Sequence, residues 1–296
     1  MTDWFYPWNT AAEGDTWQVS LGAQGSTTQV DGWAYTGIKV ADVAAGGSVG
    51  LPAADEERVV VPLAGAVTVL VGDTTYELAG RTDVFAGATD SLFVGSGSAL
   101  TITSPLGGRV AVATSPTTQR KPDVVLPAAQ VSVRGTGSCS REIRNICMAG
   151  DADAAKLLVC EVITPAGNWS SYPPHKHDEI TDTENALEEI YYFQTRPMPG
   201  APAQQDSSLG YVRVYSTDDA RPIDVKAEMS DGDTLLVPHG WHGPAAAAPG
   251  YDMYYRNVMA GPGLRQWVVT QDPAHAWVVE AMSSQPTDAR LPIGDH

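Results

Sequence analysis

The sequence predicts an all-β protein of the sandwich or barrel kind. Short runs rich in Val, Ile, Thr and Tyr recur along it, Gly, Pro, Asp and Ser separate them, and no long amphipathic helix is evident. In chain order the runs are RVVVPLAGAVTVLVG from Arg58, SALTITS from Ser98, GRVAVATS from Gly108, KLLVCEVITP from Lys156, EEIYYF from Glu188, GYVRVYS from Gly210, DTLLVP from Asp233 and DMYYRNVM from Asp252. The acidic stretch from Asp178 to Glu189 suits a helical turn or a solvated loop equally well.

Two halves can be discerned. Residues 115–130, SPTTQRKPDVVLPAAQ, are polar and proline-containing and read as a connection, giving domains of 1–125 and 126–296. Each half places an acidic pair before a β run, then a glycine-containing turn and a second apolar run, which is a weak internal repeat. The chemistry is unevenly shared. All six histidines lie at or after position 175, so the first half offers no imidazole and is expected to be a metal-free structural half. An edge strand of that half would suit a homo-oligomer.

Composition narrows the partners. A formal charge of −17 argues against nucleic acid and against anionic membranes, because phosphate surfaces are bound by clustered Lys and Arg. The start, MTDWFYPWNT, lacks a basic and an apolar signal region, and no run approaches the ~18 apolar residues of a membrane span. Three cysteines without a CxxC pair imply no disulfide framework, so a cytoplasmic protein is expected.

The chemistry concentrates in four side chains: His175 and His177 in PPHKHD, Glu189 in LEEIYYF, and His242 in PHGWHGP. Three imidazoles and one carboxylate suit a divalent transition metal and leave part of an octahedral shell open for substrate. His175 and His177 are two apart, so on a strand they share a face, and only a closed sheet would bring Glu189 and His242 to them. Pro173 and Pro174 favour an extended approach to His175, and Gly232 and Gly240 suit tight turns beside the DTLLVP run. Alternation puts Tyr191 and Phe193 on the Glu189 face and Ile190 and Tyr192 on the other. His239 reads as a surface or supporting residue, and His275 and His296 carry no pattern.

HKH, a later Glu opening a strand, and GDTLLVPHGWH resemble the two cupin motifs, which implies a bicupin of two jelly-roll barrels. Eleven residues separate His177 from Glu189, more than most cupins have. The stretches RGTGSCSREIRNI, TPAGNWSSYPPHKHD, LEEIYYF, GYDMYYRNVMAGP and RQWVVTQDPAHAWV resemble the 5-deoxy-glucuronate isomerases of myo-inositol catabolism, the IolB family, whose members carry an inserted loop after HKHD. GWHGP and RNVMAGP depart slightly from the family pattern. The resemblance selects Glu189 over Glu188 as the ligand.

That resemblance implies an aldose–ketose isomerisation of 5-deoxy-D-glucuronate to 2-deoxy-5-keto-D-gluconate with one divalent ion, Zn, Mn, Fe, Ni or Co. Isomerisation needs an acid and a base near the metal, for which Tyr191 and Asp178 are candidates, and a grip on the substrate carboxylate, for which Arg213, Arg256 and Tyr254 are candidates. Lys176 is expected to point away from the metal. The ligands alone leave open a cupin oxygenase or a non-catalytic sugar-binding cupin.

Overall fold

The computed structural model describes residues 4–22, 30–202 and 209–294. All eight runs are strands, every strand pairing is antiparallel, and one six-residue α-helix, Trp277–Met282, lies near the C-terminal end. The Asp178–Glu189 stretch forms bends rather than a helix until Glu188 opens a strand. No described helix is long and apolar enough to cross a membrane.

Three sheets build the molecule. The strands from Val19–Leu21 to Val124–Leu126 form a nine-stranded sheet that folds over on itself. Its hinge is the 16-residue strand Glu56–Val71. Irregular pairing at Pro62–Ala64 and Gly65–Val67 bends that strand. One end then pairs with Gly108–Pro116 and Ser91–Val94, and the other with Thr74–Arg81 and Leu100–Ser104. The connecting segment 115–130 contributes Val124–Leu126 to the edge of this sheet.

The second barrel is built from two sheets. One has seven strands in the order Phe5–Tyr6, Thr234–Val237, Glu188–Pro197, Tyr251–Ala260, Leu158–Thr164, Arg141–Cys147 and Val131–Arg134. The other has six, with Trp241–Ala247 pairing both Gly210–Tyr215 and His175–Lys176. The N-terminal strand Phe5–Tyr6 thus crosses to the sheet of the later half.

The seven-stranded sheet is covered on both faces. Ile190 and Tyr192 join one apolar core with Val59, Val61 and Ala111 of the first barrel, while Tyr191 and Phe193 pack inside the second barrel with Val212, Val214 and Leu235. The expected alternation therefore holds, but the face opposite Glu189 meets the other barrel instead of water. A strand buried on both faces carries apolar side chains at every position, as IYYF does.

Buried carboxylates in this layer are paired. The Glu57 carboxylate accepts the amides of Ala155, Lys156 and Leu157 at 2.6–2.7 Å, and the Glu188 carboxylate accepts those of Ala34, Tyr35 and Thr36 at 2.7–3.0 Å. The two acidic pairs of the weak repeat thus stitch each barrel to the other. Between them Glu161 accepts Arg81 at 2.6 Å, Arg256 at 2.8 Å and the Tyr254 hydroxyl at 2.8 Å. Burial opposes the Glu161 charge, but Arg81, Arg256 and Arg144 hold its carboxyl far below the usual range.

Glu161→Gln is expected to destabilise the fold by about 3 kcal/mol, because it leaves buried guanidinium groups without their counter-charge. A carboxyl whose folded pKa is depressed stabilises above its unfolded value, and that contribution is lost as pH falls through the folded value. Denaturant unfolding should therefore show the full difference from wild type at neutral pH and a shrinking one below about pH 4.

Candidate metal centre

Each barrel sheet supplies part of the centre. His175 and His242 sit directly opposite each other on paired strands of the six-stranded sheet. Glu189 comes from the facing sheet, paired with Val237 and Met259. His177 lies just past its short strand, where the Leu187 amide donates to its carbonyl at 2.8 Å and closes the loop between His177 and Glu189. Gly240 adopts φ +86°, and a Cβ there would meet the Tyr215 carbonyl oxygen at 2.6 Å, so the turn that presents His242 requires glycine.

The ligand atoms of His175, His177, Glu189 and His242 all lie within 4.8 Å of one another, and the group could hold a metal ion. Its hydrogen bonding fits a cation. His177 Nδ1 lies 3.1 Å from the Leu187 carbonyl and His242 Nδ1 lies 3.2 Å from the Gly240 carbonyl. Donation from Nδ1 turns the Nε2 lone pair of each ring inward. Both Nε2 atoms then face one carboxylate oxygen, Glu189 Oε2, at 2.9 and 3.1 Å. His242 Nε2 is buried without a hydrogen-bond partner. Such an electron-rich cluster needs a proton or a metal ion among its acceptors.

The protonation tendencies agree. Burial alone would raise the Glu189 pKa, but His177 and His242 hold it far below the usual carboxylate range. Burial would lower the His177 pKa, and the hydrogen bond with Glu189 raises it above the ordinary histidine value. Burial and the two neighbouring imidazoles push His175 well down. The Asn257 amide donates to Glu189 Oε1 and orients the carboxylate.

Asp178 stands outside this cluster. Its carboxylate accepts Lys176 Nζ at 2.9 Å, Arg221 at 2.9 Å and the Gly240 amide at 3.0 Å. Burial disfavours its charge, yet Lys176, the Gly240 amide and Arg221 bring its pKa down to about 2. A carboxylate held so firmly is a poor base, and its geometry instead braces the turn before His242. Lys176 points away from the cluster, as expected, into Asp178 and Glu184.

Tyr191 is buried 6.2 Å from the His242 ring, measured between centroids. The Tyr191 and Tyr255 hydroxyls each lie 3.3 Å from the Ser171 hydroxyl. Ser171 and Tyr255 line a cavity of about 180 Å³ that also reaches His175 and Asn257.

The three expected carboxylate anchors are elsewhere. Arg256 and Tyr254 pair across the strands with Tyr192 and Gln194, so they share the face toward the first barrel and bind Glu161 there. Tyr255 and Asn257 occupy the cavity face instead. Arg213 alternates with the barrel-facing Val212 and Val214, and its guanidinium stacks 3.9 Å over the Tyr215 ring on the outer face. The cavity holds different arginines, Arg134 and Arg141. Both stand in RGTGSCSREIRNI, but strand register alone shows which way they face. His239 is half-buried beside the turn, and His296 lies outside the described residues.

Register also locates the corresponding positions of the first barrel. Arg58 pairs with Val94 and Thr114 as Glu189 pairs with Val237 and Met259. Three residues past each valine stands a glycine of positive φ, Gly97 and Gly240. The same register sets Ala99 at the His242 position and Pro52 and Ala54 at those of His175 and His177. Arg58 bonds Glu56 at 2.8 Å and the carbonyls of Ser98 and Pro52 at 2.9 and 2.6 Å, so a guanidinium stands where the second barrel has a carboxylate.

Comparison with known proteins bears on the whole chain. The KduI/IolB family profile matches residues 10–278. The chain belongs to the KduI/IolB family. As a KduI/IolB member it is 40% identical over 251 residues to a 5-deoxy-glucuronate isomerase of Bacillus velezensis, covering 83% of this chain and 88% of that one. It is 39% identical over 259 residues to the enzyme of the same name from Bacillus subtilis strain 168, covering 86% and 91%. The crystal structure of an IolB-like protein from Salmonella typhimurium LT2 superimposes with a TM-score of 0.80 at 32% identity, over 93% of this chain and 98% of that one. Oxalate decarboxylase of Lactobacillus farciminis, at 9% identity and a TM-score of 0.61 over 97% of each chain, shares the bicupin fold.

His177→Ala and Glu189→Ala are each expected to abolish metal retention while leaving the protein folded, as read by metal analysis and circular dichroism. Undiminished occupancy in both variants would defeat the ligand assignment. Asn257→Ala should weaken metal affinity about 10- to 100-fold in a chelator competition. Because the His177 proton must leave as metal binds, affinity should begin to fall above the ordinary histidine value of about 6.5 as the solution is acidified.

Proposed function

We propose that this KduI/IolB member is a metal-dependent aldose–ketose isomerase that converts 5-deoxy-D-glucuronate to 2-deoxy-5-keto-D-gluconate. The observation that carries the reading is the convergence of His175, His177, Glu189 and His242 beside a cavity that His175 lines together with hydroxyl donors and two arginines. The names of the relatives, 5-deoxy-glucuronate isomerase at 39–40% identity, support the substrate.

Isomerisation moves one hydrogen from a hydroxyl-bearing carbon to the adjacent carbonyl carbon and shifts the carbonyl by one position. A divalent ion held by the four side chains supplies Lewis-acid polarisation of the carbonyl. The protein supplies the proton traffic around it. Burial pushes the Tyr255 hydroxyl up to about 12 and Tyr191 well above its usual value, so both keep their protons at neutral pH. We read the Tyr191–Ser171–Tyr255 chain as a proton donor to the substrate oxygen, with Tyr255 and Ser171 at the cavity wall and Tyr191 behind them. Asp178 is read as a positioning residue, acting through the Gly240 turn on His242.

The division of labour follows the barrels. Residues 1–125 are read as the structural half and residues 126–296 as the half that carries the site, with Phe5–Tyr6 tying the two together. The three free, buried thiols suit the cytoplasm.

Turnover of 5-deoxy-D-glucuronate followed by NMR in D2O should yield the ketose, lose it on chelation and regain it on adding metal. Deuterium at the former carbonyl carbon is expected if the hydrogen passes through a solvent-exchanging group. No ketose with any of the five metals, together with oxygen uptake in the presence of Fe(II), would replace this reading with an oxygenase.

A further inference from the structure

We infer that Arg134 and Arg141 form a two-arginine clamp for the carboxylate of the substrate, in the cavity that His175 also lines. This assignment rests on the isomerase reading and adds the group that makes the site select a sugar acid over a neutral sugar.

The two arginines sit directly opposite each other on the antiparallel strands Val131–Arg134 and Arg141–Cys147. Side chains at such positions start about 5 Å apart, and like charges placed there destabilise a sheet unless something between them carries the opposite charge. Glu142 and Arg144 alternate with this face and are wholly buried toward the first barrel. Arg141 and Ile143 therefore belong to the cavity face, with Arg134 opposite Arg141, and all three line the cavity with His175.

Arg134 is exposed at the mouth of the cavity and Arg141 is half-buried. Neither arginine has an acidic partner among the described residues. Arg141 donates to the Cys139 carbonyl at 3.3 Å, which occupies one of its five N–H groups. The arginines on the barrel-facing side show the contrast, because Arg81, Arg144 and Arg256 all meet Glu161. Two unmatched guanidinium groups at a cavity wall present forked donors suited to a carboxylate. Asn257 and Gln271 on the same wall offer neutral donors for sugar hydroxyls. A sugar acid would then lie across the cavity, its carbonyl end at the cluster and its carboxylate at the clamp.

The test uses the metal-loaded protein and the variants Arg134→Met, Arg141→Met and the double variant. With 5-deoxy-D-glucuronate, each single change should raise KM about 10-fold or more and the double change about 100-fold or more, because each removes charge-assisted bonds. Turnover of the neutral analogue 5-deoxy-D-glucose, already poor, should not fall further, and Arg141→Lys should recover part of the loss. Calorimetric binding of D-gluconate, which cannot isomerise, provides a readout separate from turnover. Wild type should bind it, and the double variant should bind it at least 10-fold more weakly while keeping its metal content and thermal midpoint. Equal gluconate affinity in wild type and double variant, no gluconate binding by wild type, or equal losses for the acid and the neutral sugar would overturn the clamp. Wild-type turnover alongside any of these results would leave the isomerase reading standing. Arginine-dependent gluconate binding without turnover would sink the isomerase reading and keep the clamp.

Discussion

The structure depends on a seven-stranded sheet whose central strands are buried on both faces. One face closes a core shared with the first barrel, and the other lines the lumen of the second. A charge on those central strands must therefore find a partner inside the protein, since burying an unpaired charge costs several kcal/mol. Glu161 meets this demand on the outer face by gathering arginines from both barrels. On the lumen face Glu189 meets it with two imidazoles. The same physical demand thus builds a structural ion cluster on one face and the candidate metal-binding group on the other.

The first barrel differs from the second at the corresponding positions. Its register matches that of the second barrel, but Arg58 replaces the carboxylate, and Ala99, Pro52 and Ala54 replace the imidazoles. Arg58 satisfies itself on Glu56 and two carbonyls. The interior of this barrel thus carries its own paired cation. What it gives the second barrel is cover: its apolar face dries one side of the seven-stranded sheet, and Glu57 and Glu188 lock the two by exchanging carboxylates for backbone amides.

Supporting contacts order the site in layers. Asp178 joins Lys176, Arg221 and the Gly240 amide, which sets the turn that presents His242. Glu184 accepts Lys176 and the amides of Asp178 and Glu179, and Asn185 bonds the carbonyls of Leu264 and Gln266. The long loop between His177 and Glu189 is thereby stitched to the segment that brings the Trp267 ring within 5.8 Å of His175. The loop thus anchors the segment from which Trp267 and Val269 line the cavity.

The amino-acid sequence by itself determined the all-β class, the eight strand runs and the four residues of the candidate metal centre. The strands rest on local chemistry, β-branched and aromatic runs between turn residues, and the three imidazoles on their clustering in one half, whereas the resemblance to cupins chose Glu189 over Glu188. It also determined the alternation along Glu189–Phe193, because a strand's period is two wherever it lies. Tertiary structure alone decided which parity of a distant strand faces the cavity. Arg256 and Tyr254 looked as suitable as Asn257 and Tyr255 until pairing with Tyr192 and Gln194 turned them toward the first barrel. A one-residue change of register exchanges the two faces, and register comes from long-range pairing that no local run encodes. Asp178 was legible as a neighbour of His177, but its use as a brace follows from Arg221 and Gly240, brought beside it only by the closed barrel. Arg134 and Arg141 became visible as a pair in the same way, through two strands that meet across a turn and face the metal-ligand cluster together.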